Sequence, residues 1–253
     1  MSKIETLRRT FSAYGLIGIF RLVASYIKDI RVRIQRRRML NDPEMKPSDF
    51  WTESFFLHQK RYESVSGVGS TIAYTESLRH GLTSLFEDFE INSLLDAPCG
   101  DFNWMRFVVQ DANLRYLGAD IVDELVRMNT DRYGNERIHF ERLDITTDPL
   151  PSADLMICRD CLFHLSYNDI HNFIANFLRS DIPLLLTTTH RNHSNFSNQD
   201  IVSGDFRLID LFAPPFGFPR SPLASIEDWR SPEPERDMVL FSKEQIAEIV
   251  LLS

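Results

Sequence analysis

Four aspartates, Asp96, Asp120, Asp144 and Asp160, stand at or just past the ends of short apolar runs in successive stretches of the chain. One acid in such a place means little, because aspartate is common in loops and at helix starts. Four at matching places form a pattern of ligand-facing carboxylates. The most informative stretch is Leu95-Asp96-Ala97-Pro98-Cys99-Gly100-Asp101. An apolar run, a tight turn containing Gly100 and then a helix let backbone N–H groups approach a ligand closely. Asp96 can accept a bond from an ammonium or a hydroxyl. Asp120 lies 24 residues further on, near the spacing of a ribose-binding acid in the next unit. Two carboxylates suit a nucleoside and would repel a polyphosphate. For proton transfer the candidates are Asp160, His164 and His190, with His164 first, because an imidazole titrates near neutrality.

The elements that must hold these residues alternate along the chain. Apolar runs at 93–95, 116–119, 138–140, 155–158 and 183–187 read as strands. Between them, Leu78, Leu82, Leu85, Phe86 and Phe89 mark one helix face, 102–110 reads as a second helix, and 122–133 as a third that Gly134 stops. Ser166 and Asp169 form a capping box before a helix whose apolar face is Ile170, Phe173, Ile174, Phe177 and Leu178. Strands that are apolar throughout and separated by helices predict a doubly wound α/β domain. Its ligand belongs at the carboxyl ends of the strands, where the four aspartates fall. Past residue 193 the pattern becomes irregular and rich in proline. We expect 206–211 and 238–241 to close the sheet, the latter antiparallel. Phe212, Phe216, Phe218 and Trp229 are candidates to line an acceptor pocket, and Arg207 and Arg220 to meet an anionic acceptor.

Leu-Asp-Ala-Pro-Cys-Gly at 95–100 resembles motif I of the class I S-adenosylmethionine-dependent methyltransferases, and Tyr116-Leu117-Gly118-Ala119-Asp120 resembles motif II. Asp144 matches the acidic position near the adenine, and the stretch from Cys158 to His164 resembles motif IV. The longer string from Asp96 to Met105, preceded by Glu63 to Ser70, is similar to an uncharacterised bacterial branch whose members are often placed near cell-surface polysaccharide genes. The resemblance covers roughly residues 50–245. Pro98 stands at the first glycine of the common pattern and Phe102 at the third.

The resemblance implies a Rossmann-like, mostly parallel seven-stranded sheet with S-adenosyl-L-methionine as cofactor. It implies that Asp96, Ala97, Pro98, Cys99 and Gly100 hold the methionine moiety, that Asp120 takes the ribose hydroxyls, and that Asp144 and Ile145 flank the adenine. Trp104, Ile121, Arg159, Ser66 and Ser70 complete the expected cofactor site; Ser66 and Ser70 precede a helix whose N-terminus would bind a carboxylate. The expected reaction is methylation of an oxygen on a small molecule or cell-surface glycan. No metal is assigned. A zinc site of Cys158, Cys161 and His164 with Cys99 is the weaker reading, because structural zinc usually sits on a knuckle turn. Three other classes compete: a nicotinamide-dependent oxidoreductase, disfavoured because no G-x-G-x-x-G follows the first strand; a non-catalytic cofactor-binding or membrane-tethered scaffold; and a zinc-stabilised interaction module.

Charge divides the chain. Residues 1–38 hold ten Lys/Arg against two Asp/Glu, and the other 215 hold 18 against 34. The acidic body argues against a nucleic-acid partner. Leu16, Phe20, Val23, Ile27, Ile30 and Ile34 fall on one helical stripe, with Arg21, Lys28, Arg31 and Arg36-Arg37-Arg38 mostly off it. We therefore expect a basic helical extension over 1–45, ahead of a domain over 46–253. Docking of this helix on the acidic body or on a second copy of the chain is the first reading, and peripheral membrane contact through residues 10–38 is the alternative. Thr10 to Phe20 is too short to span a bilayer. Three cysteines form no disulfide framework, which fits a cytoplasmic protein, at the inner face of the membrane if the helix binds there.

Overall fold

The structure is a computed structural model that describes residues 34–42, 44–58, 63–192 and 195–252. The chain divides into two compact units, residues 1–46 and 47–253. In the first, residues 34–40 are helical. The rest of the predicted basic stripe, Leu16 to Ile30, lies outside the described residues.

The second unit carries α1 (Pro47–His58), α2 (Glu76–Asp88), β1 (Ser93–Asp96), α3 (Met105–Ala112), β2 (Arg115–Asp120), α4 (Asp123–Tyr133), β3 (Ile138–Arg142), β4 (Leu155–Cys158), α5 (Tyr167–Arg179), β5 (Leu184–His190), β6 (Ala224–Glu227), β7 (Arg236–Ser242) and α6 (Lys243–Leu252). The sheet order is β3-β2-β1-β4-β5-β7-β6. β7 runs antiparallel to both its neighbours, and the other pairings are parallel. This is the doubly wound sheet that the alternation predicts.

Burial explains the continuous apolar runs. On β4, Leu155 and Ile157 pack with Leu78, Leu82 and Val108 on one face, while Met156 and Cys158 pack with Ile170 and Phe173 on the other. A strand covered on both faces has no polar alternation to show. α5 begins as expected: Ser166 Oγ accepts the Asp169 N–H at 3.1 Å. The reciprocal half of the box is relayed, because the Ser166 N–H goes to Ser203 Oγ at 2.8 Å.

Two expectations change. The segment 206–211 is not a strand. It lies along the end of β5, but the Ile209 N–H goes to His190 Nδ1 at 3.2 Å and the Leu211 N–H to Thr189 Oγ1 at 3.0 Å, so side chains take the bonds a ladder would need. The sixth strand is Ala224–Glu227, a half-buried stretch at the sheet edge without an apolar run. The helix expected from Phe102 starts at Met105, because Phe102 adopts φ 55° and no helix passes through that conformation.

Candidate functional site

Asp96 ends β1 and Asp120 ends β2, so adjacent parallel strands bring their carboxylates to one edge of the sheet. The turn between β1 and α3 is tied to both neighbours. The Ala97 N–H donates to Ile157 O at 2.9 Å, the Cys99 N–H to Ala119 O at 2.8 Å, and the Gly100 N–H to Asp120 Oδ2 at 3.0 Å. Gly100 has φ 56°, and a Cβ there would strike Ser66 Oγ, so the position excludes any larger residue twice over. Phe102 holds a similar φ without that freedom. Its ring packs against Tyr116 at 4.8 Å, Tyr133 at 5.2 Å and Phe140 at 5.2 Å, and this aromatic burial offsets the backbone strain.

Both carboxylates are buried, at 3 % and 6 % exposure. Burial pushes Asp96 up to about 7, against the opposing effects of the Tyr116 hydroxyl, which donates to Oδ2 at 2.7 Å, and of Arg159. Burial likewise raises Asp120 to about 6, against the N–H groups of Val122 and Gly100. Neither acid has an ion-pair partner among the described residues. Two buried carboxylates held away from their preferred charge can be matched chemically by a cation and by hydroxyl donors.

The loop expected to precede a binding helix is fixed on this turn. Asp101 accepts from Ser64 Oγ and the Val65 N–H, both at 2.9 Å, and Asn103 Nδ2 donates to Glu63 Oε1 at 2.8 Å and Ser70 O at 3.0 Å. Ser66 thereby sits against Gly100. Beyond Gly67 the chain makes only a three-residue 3₁₀ turn, Val68–Ser70, and α2 starts at Glu76, so no helix N-terminus stands at Ser66 and Ser70.

At the end of β4, Arg159 and Asp160 enter a buried ion cluster. Arg159 donates to Asp228 from Nε at 2.8 Å and from Nη2 at 3.0 Å, and Nη2 also reaches Gly69 O at 2.8 Å. Its Cζ stands 5.2 Å from the ring centre of Trp104, the residue expected to wall the pocket. Arg236 donates to Asp160 Oδ2 at 2.9 Å. Burial opposes the charge on Arg159, but Asp160 and Asp228 outweigh it and hold the guanidinium above its usual range. Burial would raise Asp160, yet Arg159 and Arg236 hold it below the ordinary carboxylate range. A carboxylate so stabilised is a weak base. Asp160 also has φ 52°, a strained backbone at the strand end.

The two histidines differ. His190 is the last residue of β5 and is 3 % exposed. Burial, with Arg236 adding to it, brings its pKa down to about 4, so the ring is neutral at pH 7. Its Nδ1 accepts the Ile209 N–H, which places the ring proton on Nε2 and leaves no basic nitrogen for substrate. His164 lies in a 3₁₀ turn after β4, framed by Trp51 at 5.4 Å, Phe163 at 4.6 Å and Phe206 at 5.8 Å between ring centres. Its Nδ1 is 2.6 Å from Asp205 O. A carbonyl oxygen only accepts, so Nδ1 carries a proton, and in the neutral ring the lone pair is then on Nε2. Of the three candidates, His164 has the form a proton acceptor needs.

The remaining expected residues lie to the sides. The Leu143 N–H donates to Asp120 O at 3.0 Å and so sets the next two residues beside the second strand end. Asp144 Oδ1 is taken by the Thr146 N–H at 2.9 Å and by the Thr146 hydroxyl at 2.6 Å. Ile145 is buried, and its carbonyl accepts from Asn176. Ile121 stands between Asp120 and α4 and packs with Phe55, Val122 and Leu125. Phe216 and Phe218 are core residues rather than pocket walls. Arg207 turns inward onto the 162–165 turn. Among the described residues no group of three or more His, Cys, Asp or Glu is placed to hold a metal ion, so the zinc reading has no site there. Nor is any described helix long and apolar enough to cross a membrane. Sequence reasoning missed Tyr116, Asp228, Arg236 and Trp51 as members of the site. Asp228 and Arg236 are separated from Arg159 by 69 and 77 positions, and nothing local marks them.

No protein-family model matches the chain, and no curated protein does. Solved structures do match. An S-adenosylmethionine-dependent methyltransferase of Leishmania major has a TM-score of 0.57 at 14% identity, covering 79% of this chain and 85% of that one. The magnesium protoporphyrin IX methyltransferase of Synechocystis PCC 6803, solved with bound S-adenosylmethionine, has a TM-score of 0.51 at 14% identity, covering 79% of this chain and 99% of that one. The likeness is one of fold: a seven-stranded, mostly parallel sheet with flanking helices, the Rossmann-like methyltransferase fold.

Proposed function

We propose that the chain is an S-adenosylmethionine-dependent methyltransferase. One observation carries this reading: Asp96 and Asp120 meet at the ends of adjacent strands around a turn that approaches closely at Gly100, and burial disfavours charge on both. A ligand bearing an ammonium, a sulfonium and vicinal hydroxyls offers each carboxylate what the protein withholds. Asp96 and the 97–100 backbone would hold the methionine moiety, Asp120 the ribose, and Asp144 and Ile145 the adenine edge. Arg159, held by Asp228 and Gly69 O, fixes the wall formed by Trp104.

When bound, the cofactor supplies an electrophilic methyl group. This chain aligns the acceptor and takes its proton. His164 is the proton acceptor through Nε2, and the low basicity of Asp160 and His190 leaves them to shape the site. The acceptor is an oxygen on a small molecule or glycan. Any contact of residues 10–38 with a membrane surface belongs to the same reading, since it would place the enzyme where cell-surface sugars are assembled.

Calorimetric titration with S-adenosylhomocysteine and with NAD tests the cofactor. Saturable heat with the first and none with the second is expected; the reverse pattern would restore the oxidoreductase. A scaffold protein would bind S-adenosylhomocysteine yet leave every acceptor in a labelled-methyl screen unmodified.

A further inference from the structure

The turn that carries His164 is held by a strap from a distant part of the chain, residues 200–207. All four successive carbonyls from Leu162 to Leu165 accept hydrogen bonds. Leu162 O accepts from the Leu165 N–H at 3.2 Å and Arg207 Nη2 at 3.5 Å, and Phe163 O from the Arg207 N–H at 3.1 Å. His164 O accepts from the Gly204 N–H at 2.7 Å, and Leu165 O from Arg207 Nη1 at 2.6 Å. The same strap supplies Asp205 O to the imidazole. It also holds the start of α5: the Tyr167 N–H donates to Asp200 Oδ1 and the Ser166 N–H to Ser203 Oγ, both at 2.8 Å.

Arg207 is the centre of this arrangement. It is 7 % exposed, and its Cζ lies 5.3 Å from the ring centre of Tyr167. Among the described residues it has no ion-pair partner; Nη1 and Nη2 meet the two carbonyls and the guanidinium faces the Tyr167 ring, while Nε is buried with no hydrogen-bond partner. Burial accordingly lowers its pKa, against the attraction of Tyr167 and Asp200. Burying a guanidinium without a carboxylate is costly, and an apolar side chain fills such a space more stably. What an apolar residue cannot do is grip two carbonyls, three residues apart, on either side of His164.

We propose that Arg207 is a positioning residue: it locks the 162–165 turn against the strap, so that Asp205 O sets the His164 tautomer and the lone pair stays on Nε2. This rests on the reading of His164 as proton acceptor. The loop is thereby built to present one particular imidazole nitrogen.

The test is nitrogen-15 NMR of the histidine side chains in the full chain, on wild type, Arg207→Ala and Arg207→Lys, alongside calorimetry with S-adenosylhomocysteine. In the wild type, His164 is expected in a single Nδ1–H form and His190 in the opposite one. Arg207→Ala should turn His164 into a mixture of both tautomers, leave His190 unchanged, and alter the S-adenosylhomocysteine dissociation constant less than about threefold. Arg207→Lys, which keeps a donor but not the fork, should restore part of the single form. If Arg207→Ala does not fold, Arg207→Lys carries the test by itself. An unchanged His164 signature in a folded variant overturns the proposal, and so does equal disturbance of His164 and His190, which marks general loosening. Failure of the wild type to bind S-adenosylhomocysteine counts against the methyltransferase reading and leaves the tautomer measurement standing.

Discussion

Replacing Asp96 by asparagine should make the protein more stable and cost it the cofactor. The carboxyl sits at 3 % exposure with the Tyr116 hydroxyl as its direct partner, and its pKa rises from 3.8 to about 7. A folded-state pKa above the unfolded value means that the native protein prefers the protonated acid. The penalty on stability is then complete above about pH 7, shrinks as the pH falls, and vanishes below about 4. At about 1.4 kcal/mol per pH unit, it amounts to about 4 kcal/mol at pH 8 and about 2 kcal/mol at pH 5. Asparagine keeps an oxygen for the Tyr116 hydroxyl and carries no charge. Urea denaturation of both proteins from pH 5 to pH 8 measures the difference. The gain from Asp96→Asn should grow by about 2–3 kcal/mol between pH 5 and pH 8 while S-adenosylhomocysteine affinity drops at least tenfold. A gain that is independent of pH, or a loss of stability at pH 8, would refute the argument that desolvation dominates at this carboxyl.

The same geometry sets other outcomes. Affinity for S-adenosylmethionine should weaken as the pH is lowered through 7 and then 6, by up to tenfold per pH unit as Asp96 protonates, with proton release on binding visible as a buffer-dependent enthalpy. Gly100→Ala forces a Cβ onto Ser66 at a positive φ; thermal unfolding should show a loss of at least about 1–2 kcal/mol, reduced in the Gly100→Ala/Ser66→Gly pair. Asp228→Ala leaves Arg159 buried without its two-pronged partner, and chemical denaturation should register about 3–5 kcal/mol. Once an acceptor is found by labelled-methyl screening, His164→Ala should abolish turnover with S-adenosylhomocysteine binding intact, whereas His190→Asn should keep measurable turnover.

What the sequence discloses is whatever repeats locally. β1, β2, β4 and β5 show as apolar runs because both faces of each are buried, and Asp96 and Asp120 are legible because the ends of parallel strands converge. β6 is hidden, because Ala-Ser-Ile-Glu at an edge has neither an apolar run nor a strong alternation. Segment 206–211 misleads for the opposite reason: its apolar residues Ile209 and Leu211 are buried by the core, while their N–H groups are spent on Thr189 and His190. Asp144 is legible as a strand-end acid, although its Oδ1 is engaged by Thr146. The distinction between His164 and His190 has no trace in the sequence, since it depends on which nitrogen meets a carbonyl and which an N–H.

The ion cluster has a consequence for how the protein is made. Gly69, Arg159, Asp228 and Arg236 are joined across spans of 69 to 90 residues. A ribosome delivers the first five strands well before Asp228 and Arg236 leave the exit tunnel, and until then Arg159 lacks its carboxylate clamp. Contacts so distant in sequence are slow to form. Ligand capture should therefore be the last property a nascent chain acquires, and nascent chains stalled before residue 228 should collapse into a sheet yet bind no adenosyl compound.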